Sequence, residues 1–186
     1  MKVDYKVDAK GLACPMPIVK ARKAFKEMDA GWVIEIEATD KGSTADLQAW
    51  AKSAGHEYIG TIEQDDVLRH YLRKTGDDEN EEAKFPNVAS NEQLMALLEN
   101  EEVMVFDVRE VSEYAFGHIP GARSVPLDQL ESQFNQSAKE QEIYVICRTG
   151  NRSDLAAQQL AKAGFEKVFN VVPGMHKWNG SLEKNV

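Results

Sequence analysis

Cysteine is scarce in this chain, which has only Cys14 and Cys147 among its 186 residues. Two cysteines are too few for the disulfide framework of a small secreted protein. Both have to be reduced if they act as thiols, which favours a reducing compartment. We therefore expect a cytoplasmic protein whose cysteines do chemistry instead of holding the fold together.

The sequence also lacks long apolar segments and an excess of positive charge. No apolar stretch is long enough to span a membrane, and no charged segment followed by an apolar one forms a leader. The net charge is −9, and the acidity lies beyond residue 74, since the first 74 residues are close to neutral. We therefore expect neither a membrane nor a nucleic acid as a direct partner.

Metal-binding patterns are missing as well. The four histidines show no metal-ligand spacing with either cysteine, so we interpret them as structural or surface residues. We expect no metal site and no cofactor.

A polar, acidic run divides the sequence. Residues 75–84 read TGDDENEEAK and contain no large apolar side chain, so burial cannot offset the entropy lost on ordering them. We interpret this segment as a linker between a first domain, residues 1–74, and a second domain, residues 85–186. The first domain is small but long enough for one hydrophobic core.

The most informative motif follows an apolar run in the second domain. Residues 143–146, IYVI, predict a buried strand that delivers Cys147 into a short loop, and apolar residues at helical spacing come next. Backbone N–H groups and a helix N-terminus stabilise a thiolate at such a place, and arginines beside it hold an anionic substrate. The loop residues that we expect to bind substrate or persulfide are Arg148, Thr149, Gly150, Asn151, Arg152 and Ser153.

The spacing within this loop narrows the chemistry. Four residues separate Cys147 from Arg152, one fewer than is typical of phosphatases that use a cysteine nucleophile. Ser153 occupies the later position, and a serine cannot neutralise a phosphate. The smaller loop suits one extra sulfur on the cysteine, a persulfide, better than a phosphoryl group. An arsenate or phosphate enzyme is the alternative that this loop length disfavours.

The stretch CRTGNRS resembles the active-site loop of rhodanese (thiosulfate sulfurtransferase) domains. Residues 105–109, VFDVR, resemble the strand and Asp-x-Arg turn of the same family, which implies that Asp107 and Arg109 support the site. Residues 117–122, GHIPGA, resemble a further signature. The resemblance covers about 100 residues and implies a single-copy rhodanese domain with a parallel sheet flanked by helices.

This chain departs at one position from the closing signature of the family. Gly174, Met175 and Trp178 match it, but Pro173 replaces its first glycine. Because this turn lies far along the chain from the nucleophile, we expect the departure to leave the chemistry alone.

The first domain carries the second cysteine motif, GLACPMP, at residues 11–17. Pro15 suits the first position of a helix, where no backbone N–H is needed. This places Cys14 at the N-cap, where the positive end of the helix favours a thiolate. We therefore expect Cys14 to be a second catalytic cysteine, with Pro15 and Pro17 as supporting residues.

The remaining pattern of the first domain predicts the order strand, helix, strand, helix, strand, strand. This order and the Cys-Pro-x-Pro motif resemble the TusA/SirA-like sulfur-carrier family. Asp40 resembles the aspartate of that family's Thr-Asp-Pro segment, with Lys41 in place of the proline. We therefore expect an α/β protein with a small βαβαββ two-layer sandwich in front of the rhodanese-like domain.

The two resemblances together imply a sulfur relay. Cys147 would attack the outer sulfur of thiosulfate or another sulfane-sulfur donor and become a persulfide. Cys14 would take that sulfur and pass it to an acceptor, so a protein donor or acceptor is an expected partner. The alternative is a binding protein in which Cys147 only senses reactive sulfur or oxidants, with little turnover.

Overall fold

The chain divides into two compact units, with the division between residues 77 and 78. The structure is a computed structural model that describes residues 2–76, 85–100, 103–133 and 139–186. Most of the expected linker, residues 77–84, lies outside the described residues, so its boundaries stay a prediction.

The first unit, within residues 2–76, is a four-stranded sheet with two helices. Its elements are β1 (Tyr5–Ala9), α1 (Met16–Glu27), β2 (Val33–Ala38), α2 (Ser43–Ser53), β3 (Glu57–Gln64) and β4 (Val67–Arg73). The strand order is β1-β2-β4-β3, with β1 and β2 parallel and the other neighbours antiparallel. The predicted βαβαββ order is confirmed.

Alternating side chains of the sheet build the core of this unit. Ile34 and Ile36 of β2 are fully buried and pack with Phe25 of α1 and Trp50 of α2. Successive strand residues point to opposite faces, so both helices pack on the same face of the sheet. This is the two-layer arrangement that the sequence predicts.

The second unit contains a parallel sheet. Its described elements are β5 (Val88–Ser90), α3 (Asn91–Asn100), β6 (Met104–Asp107), α4 (Val111–Phe116), β7 (Arg123–Ser124), α5 (Leu130–Gln133), β8 (Ile143–Ile146), α6 (Asn151–Lys162) and β9 (Val168–Val172). The strand order is β5-β9-β8-β6-β7, and every neighbouring pair is parallel.

The central strand β8 is buried on both faces, as its apolar sequence predicts. Ile143 and Val145 pack into the core that contains Leu160 of α6, whereas Tyr144 and Ile146 pack into the core that contains Leu94 of α3. Helices therefore cover both faces of the sheet, which confirms the predicted architecture of the second domain.

The end of β8 sets the position of the reactive cysteine. Ile146 is in register with Asp107 of β6, and Cys147 follows directly. The loop after Cys147 therefore lies at the carboxyl edge of the sheet, where parallel sheets bind ligands. Across the described residues, no helix combines the length and apolarity that a bilayer crossing requires.

The start of α3 carries a reciprocal capping box. The Ser90 N–H donates to Gln93 Oε1 at 2.8 Å, and the Gln93 N–H donates to Ser90 Oγ at 3.1 Å. We predict that Ser90→Ala lowers the free energy of unfolding of the second unit by about 1 kcal/mol, because an N-terminal donor of α3 loses its partner. Chemical denaturation followed by circular dichroism measures this change.

Ser132→Ala is the matched control, because the exposed Ser132 donates only to the Gln129 carbonyl at 2.7 Å. It should change the free energy of unfolding by less than about 0.5 kcal/mol. Equal stabilities of the two variants would show that the cap does not stabilise α3.

Candidate active site

Cys147 is held beneath the loop that follows β8. The residue is 1% exposed and belongs to the buried cluster that also contains Ala156 and Leu160 of α6. The Gly150 N–H donates to Cys147 Sγ at 3.1 Å, and Ser153 Oγ lies 3.3 Å from the same sulfur. The sulfur thus meets polar hydrogen atoms, unlike a structural cysteine in apolar surroundings.

Glycine is required at position 150 for two reasons. Gly150 has φ +105°, in the left-handed region, and it caps α6 (Asn151–Lys162). A Cβ atom there would lie 2.4 Å from Val172 Cγ1. The glycine lets the chain turn beneath the sulfur and enter the helix at once, which places the helix N-terminus beside Cys147.

The Arg152 guanidinium binds a carboxylate of the same unit. It donates to both carboxylate oxygens of Glu113, with Nη1–Oε2 at 2.7 Å and Nη2–Oε1 at 2.9 Å. Both side chains are buried. The pair links α6 to α4 and so anchors the loop, and the expectation that Arg148 and Arg152 bind an anionic substrate stays a prediction.

Asp107 and Arg109 form a second buried ion pair at the end of β6. Arg109 Nε and Nη2 lie 2.9 and 2.5 Å from the Asp107 carboxylate oxygens, and Nη2 also donates to the Gly117 carbonyl at 2.8 Å. These bonds fix the turn into α4, which carries Glu113. The two residues hold the backbone at the start of α4, and their supporting role in the site stays a prediction.

The turn that contains Pro173 is far from Cys147 in sequence but adjacent to it in space. The Met175 N–H donates to the Cys147 carbonyl at 2.9 Å, and the His176 N–H donates to the Arg148 carbonyl at 3.0 Å. A Cβ atom on Gly174 would lie 2.5 Å from the Cys147 carbonyl oxygen. The turn after β9 therefore forms one wall of the loop.

The surroundings of Cys14 differ from the prediction by one helical position. Helix α1 begins at Met16, Pro15 is its N-cap and Pro17 lies in its first turn, so Cys14 precedes the cap. The first turn of a helix has no use for backbone N–H groups, so either proline fits there and the sequence does not choose between them. The prediction of Cys14 at the N-cap is wrong.

The prediction of a favoured Cys14 thiolate is also wrong. Cys14 is exposed, but its thiol hydrogen-bonds the carboxylate of Asp46, which raises the pKa of Cys14 above its ordinary value. Partial burial and the negative charges of Asp46 and Asp40 raise this pKa further. The two carboxylates thus favour the thiol form of Cys14.

Asp40 holds the backbone of this motif. Asp40 Oδ2 accepts from the Cys14 N–H at 3.2 Å, and Oδ1 accepts from the Gly42 N–H at 3.1 Å. Ser43 Oγ donates to the Asp40 carbonyl at 2.6 Å and lies 2.9 Å from His70 Nε2. Burial lowers the pKa of His70 to about 4, so this histidine is neutral near pH 7 and structural, as we interpreted it.

Three residues of these sites were missed by sequence reasoning: Glu113, Asn170 and Asp46. Asn170 is completely buried within β9 (Val168–Val172), and it hydrogen-bonds Ser153 and Gly150. The sequence feature that could have revealed Asn170 is an amide side chain within an otherwise apolar strand sequence. Asp46 had no signal, because an acidic residue in the first turn of a helix is common for reasons of helix stability alone.

The described ranges of the chain contain four histidines and both cysteines. No group of three or more histidine, cysteine, aspartate or glutamate side chains there could hold a metal ion.

Both halves of the chain match known families. Residues 5–74 match the family described as Sulfurtransferase TusA, and residues 90–181 match the Rhodanese-like domain. A crystal structure of a rhodanese-like domain protein from Staphylococcus aureus superposes with a TM-score of 0.50 at 32% identity, covering 53% of this chain and 97% of that one. The site around Cys147 thus belongs to a rhodanese-like domain.

Three curated relatives extend this result. "Putative sulfur carrier protein YrkF" of Bacillus subtilis (strain 168) is 50% identical over 98% of this chain and 100% of its own length. Sulfur carrier protein TusA of Allochromatium vinosum is 38% identical over 39% of this chain and 95% of its own. Thiosulfate sulfurtransferase GlpE of Pseudoalteromonas translucida is 30% identical over 50% of this chain and 90% of its own length. The chain belongs to the sulfur-carrier family in which a TusA domain precedes a rhodanese-like domain.

The carboxylate beside Cys14 leads to a test. We predict that Asp46→Asn lowers the pKa of Cys14, because it removes the negative charge that stabilises the thiol and replaces one carboxylate oxygen with an N–H donor. The rate of Cys14 alkylation against pH, followed by peptide mass spectrometry, measures this change. Asp29→Asn, at another exposed aspartate of the first unit, is the charge-matched control and should leave the profile in place. Coincident profiles for Asp46→Asn and the native protein would contradict the assignment.

The buried pair leads to a second test. We predict that Arg152→Ala destabilises the second unit by about 3–5 kcal/mol, because Glu113 is left buried without its partner. Thermal and chemical unfolding measure the loss. The double variant Arg152→Ala/Glu113→Ala should lose less than the sum of the single losses, since the unpaired charge is gone. Strict additivity would show that the pair does not anchor the loop.

Proposed function

We propose that the protein is a sulfurtransferase that loads sulfane sulfur on Cys147 and relays it to Cys14. The observation that carries this proposal is the sulfur of Cys147, which lies at a helix N-terminus within hydrogen-bonding distance of the Gly150 N–H and the Ser153 hydroxyl. Such donors stabilise negative charge on sulfur.

The loading step needs a thiolate and a donor with an outer sulfur. The Cys147 thiolate attacks the outer sulfur of thiosulfate, the S–S bond of thiosulfate breaks, and sulfite leaves with the bonding electron pair. Arg148 is the cation that we assign to the anionic donor, because it directly follows Cys147 in the loop. Any sulfane donor with an anionic leaving group fits the same step.

The relay step returns Cys147 to its starting state. The Cys14 thiolate attacks the outer sulfur of the Cys147 persulfide, the persulfide S–S bond breaks, and Cys147 leaves as a thiolate. Cys14 is exposed, as a carrier thiol that has to meet both a donor and an acceptor must be. The final acceptor in this proposal is another protein, and the reaction takes place in the cytoplasm, where both thiols stay reduced.

The length of the segment between the domains allows the two cysteines to meet. Ten residues, 75–84, separate the two predicted domains, and ten residues of polypeptide span at most about 35 Å. Two groups joined by so short a segment are held at a higher effective concentration than two separate molecules. Transfer within one chain or between two chains follows the same chemistry.

The relay is tested by loading three proteins with thiosulfate and measuring persulfide mass on each cysteine peptide. We predict that Cys147→Ser loses thiosulfate turnover to cyanide and also loses the persulfide on Cys14. Cys14→Ser should keep turnover to cyanide, because cyanide is small enough to strip sulfur from Cys147 directly. It should lose transfer to a protein acceptor.

The native protein is the reference for both variants. Equal labelling of Cys14 in the native protein and in Cys147→Ser would mean that Cys14 takes sulfur independently, and the relay would be wrong. Full turnover of Cys147→Ser would instead refute Cys147 as the sulfur-accepting residue.

A further inference from the structure

Asn170 is a buried amide whose two ends both bind the loop around Cys147. It lies in β9 beside Val145 of β8 and is 0% exposed. Asn170 Nδ2 donates to the Gly150 carbonyl at 3.0 Å, and the Ser153 hydroxyl lies 2.6 Å from Asn170 Oδ1. A buried amide in a strand is unfavourable unless such bonds satisfy it.

The Gly150 carbonyl fixes which way this amide points. A carbonyl only accepts hydrogen bonds, so the Asn170 NH₂ group has to face Gly150, and Oδ1 has to face Ser153. Oδ1 also only accepts, so the Ser153 hydroxyl is the donor of the 2.6 Å bond. The direction of each bond follows from the chemistry of the groups.

The Ser153 hydroxyl has one proton and two neighbours that can take it. One is Asn170 Oδ1 at 2.6 Å, and the other is Cys147 Sγ at 3.3 Å. While the proton points to Asn170, Ser153 Oγ offers the sulfur a lone pair, which suits a thiol that donates its own proton. A thiolate needs the opposite arrangement, with the hydroxyl turned to the sulfur and Oδ1 left without its donor.

We propose that Asn170 is a positioning residue that stabilises the thiol of Cys147 over its thiolate by competing for the Ser153 hydroxyl proton. On ionisation, the Cys147 proton goes to solvent and the hydroxyl rotates from Asn170 to the sulfur. The consequence for sulfur transfer rests on the proposed function. When the sulfur becomes charged, the loop gains a rotating donor that Asn170 otherwise holds.

The first test is a pH titration of thiolate absorbance in the ultraviolet, in a Cys14→Ser background in which Cys147 is the sole remaining cysteine. Asn170→Leu removes the competing acceptor at similar side-chain volume. It should lower the midpoint of thiolate formation by about 0.5–1 pH unit, the size of one net hydrogen bond.

The matched control removes the hydroxyl. The double variant Ser153→Ala/Asn170→Leu should have the same midpoint of thiolate formation as Ser153→Ala alone, because Asn170 acts through the Ser153 hydroxyl. A merely structural role of Asn170 would shift both backgrounds equally. Equal shifts, or no shift while Ser153 is present, would overturn the proposal.

A second measurement keeps Asn170 itself and so does not depend on the folding of Asn170→Leu. In ¹⁵N-labelled Cys14→Ser protein, the side-chain amide signals of Asn170 should move with the same midpoint as the thiolate absorbance. In Ser153→Ala this movement should collapse. Movement of the same size in both proteins would mean that Asn170 senses the charge through space, and the competition would be refuted.

Neither titration requires a sulfur donor, so the two proposals fail separately. A protein that titrates as expected but never takes sulfur on Cys147 would refute the proposed function and leave the role of Asn170 intact. If the native protein turns over thiosulfate but Asn170→Leu leaves the midpoint of thiolate formation unchanged, the role of Asn170 is refuted and the proposed function stands.

Discussion

The hydrogen bond from the Gly150 N–H to the sulfur of Cys147 is the contact on which the second unit's site depends. This bond requires a residue with left-handed backbone conformation three positions after the cysteine, directly before α6. Only glycine fits there, because a Cβ atom would clash with the side chain of Val172. The Arg152–Glu113 pair then fixes the first turn of α6, and Asn170 fixes the Gly150 carbonyl. Three buried polar contacts thus hold one short loop in a single conformation, and a sulfur anion formed there meets donors that are already in place.

The two cysteines have opposite electrostatic surroundings. Cys147 lies at the N-terminus of α6 beside N–H and O–H donors, whereas Cys14 lies beside the carboxylates of Asp40 and Asp46. The thiolate is the nucleophile in sulfur exchange. Asp46 and Asp40 raise the pKa of Cys14, which disfavours its thiolate, and a cation beside these carboxylates lowers that pKa.

The fold was predictable from sequence because its signals are local. The apolar residues of β8 predicted a strand that is buried on both faces, and the apolar residues of β2 predicted a strand of the first unit, where five of its six residues are buried. The position of Cys147 between a strand and a helix was also predictable. The role of Arg152 was not, because Glu113 lies 39 positions away and a guanidinium beside a cysteine fits either an anion or a buried carboxylate equally well. The same limit explains Cys14, whose thiol is governed by Asp46 from another helix.

The carboxylates around Cys14 bear on the reactivity of an exposed thiol. The reaction of such a thiol with oxidants and disulfides depends on its thiolate fraction. Asp46 and Asp40 raise the pKa of Cys14, so the thiolate fraction is smaller than it is for a thiol without carboxylates beside it. A bound cation that neutralises these carboxylates lowers the pKa again. The reactivity of Cys14 therefore depends on the charge of what binds beside it, and the Cys-Pro-Met-Pro motif alone does not reveal this dependence.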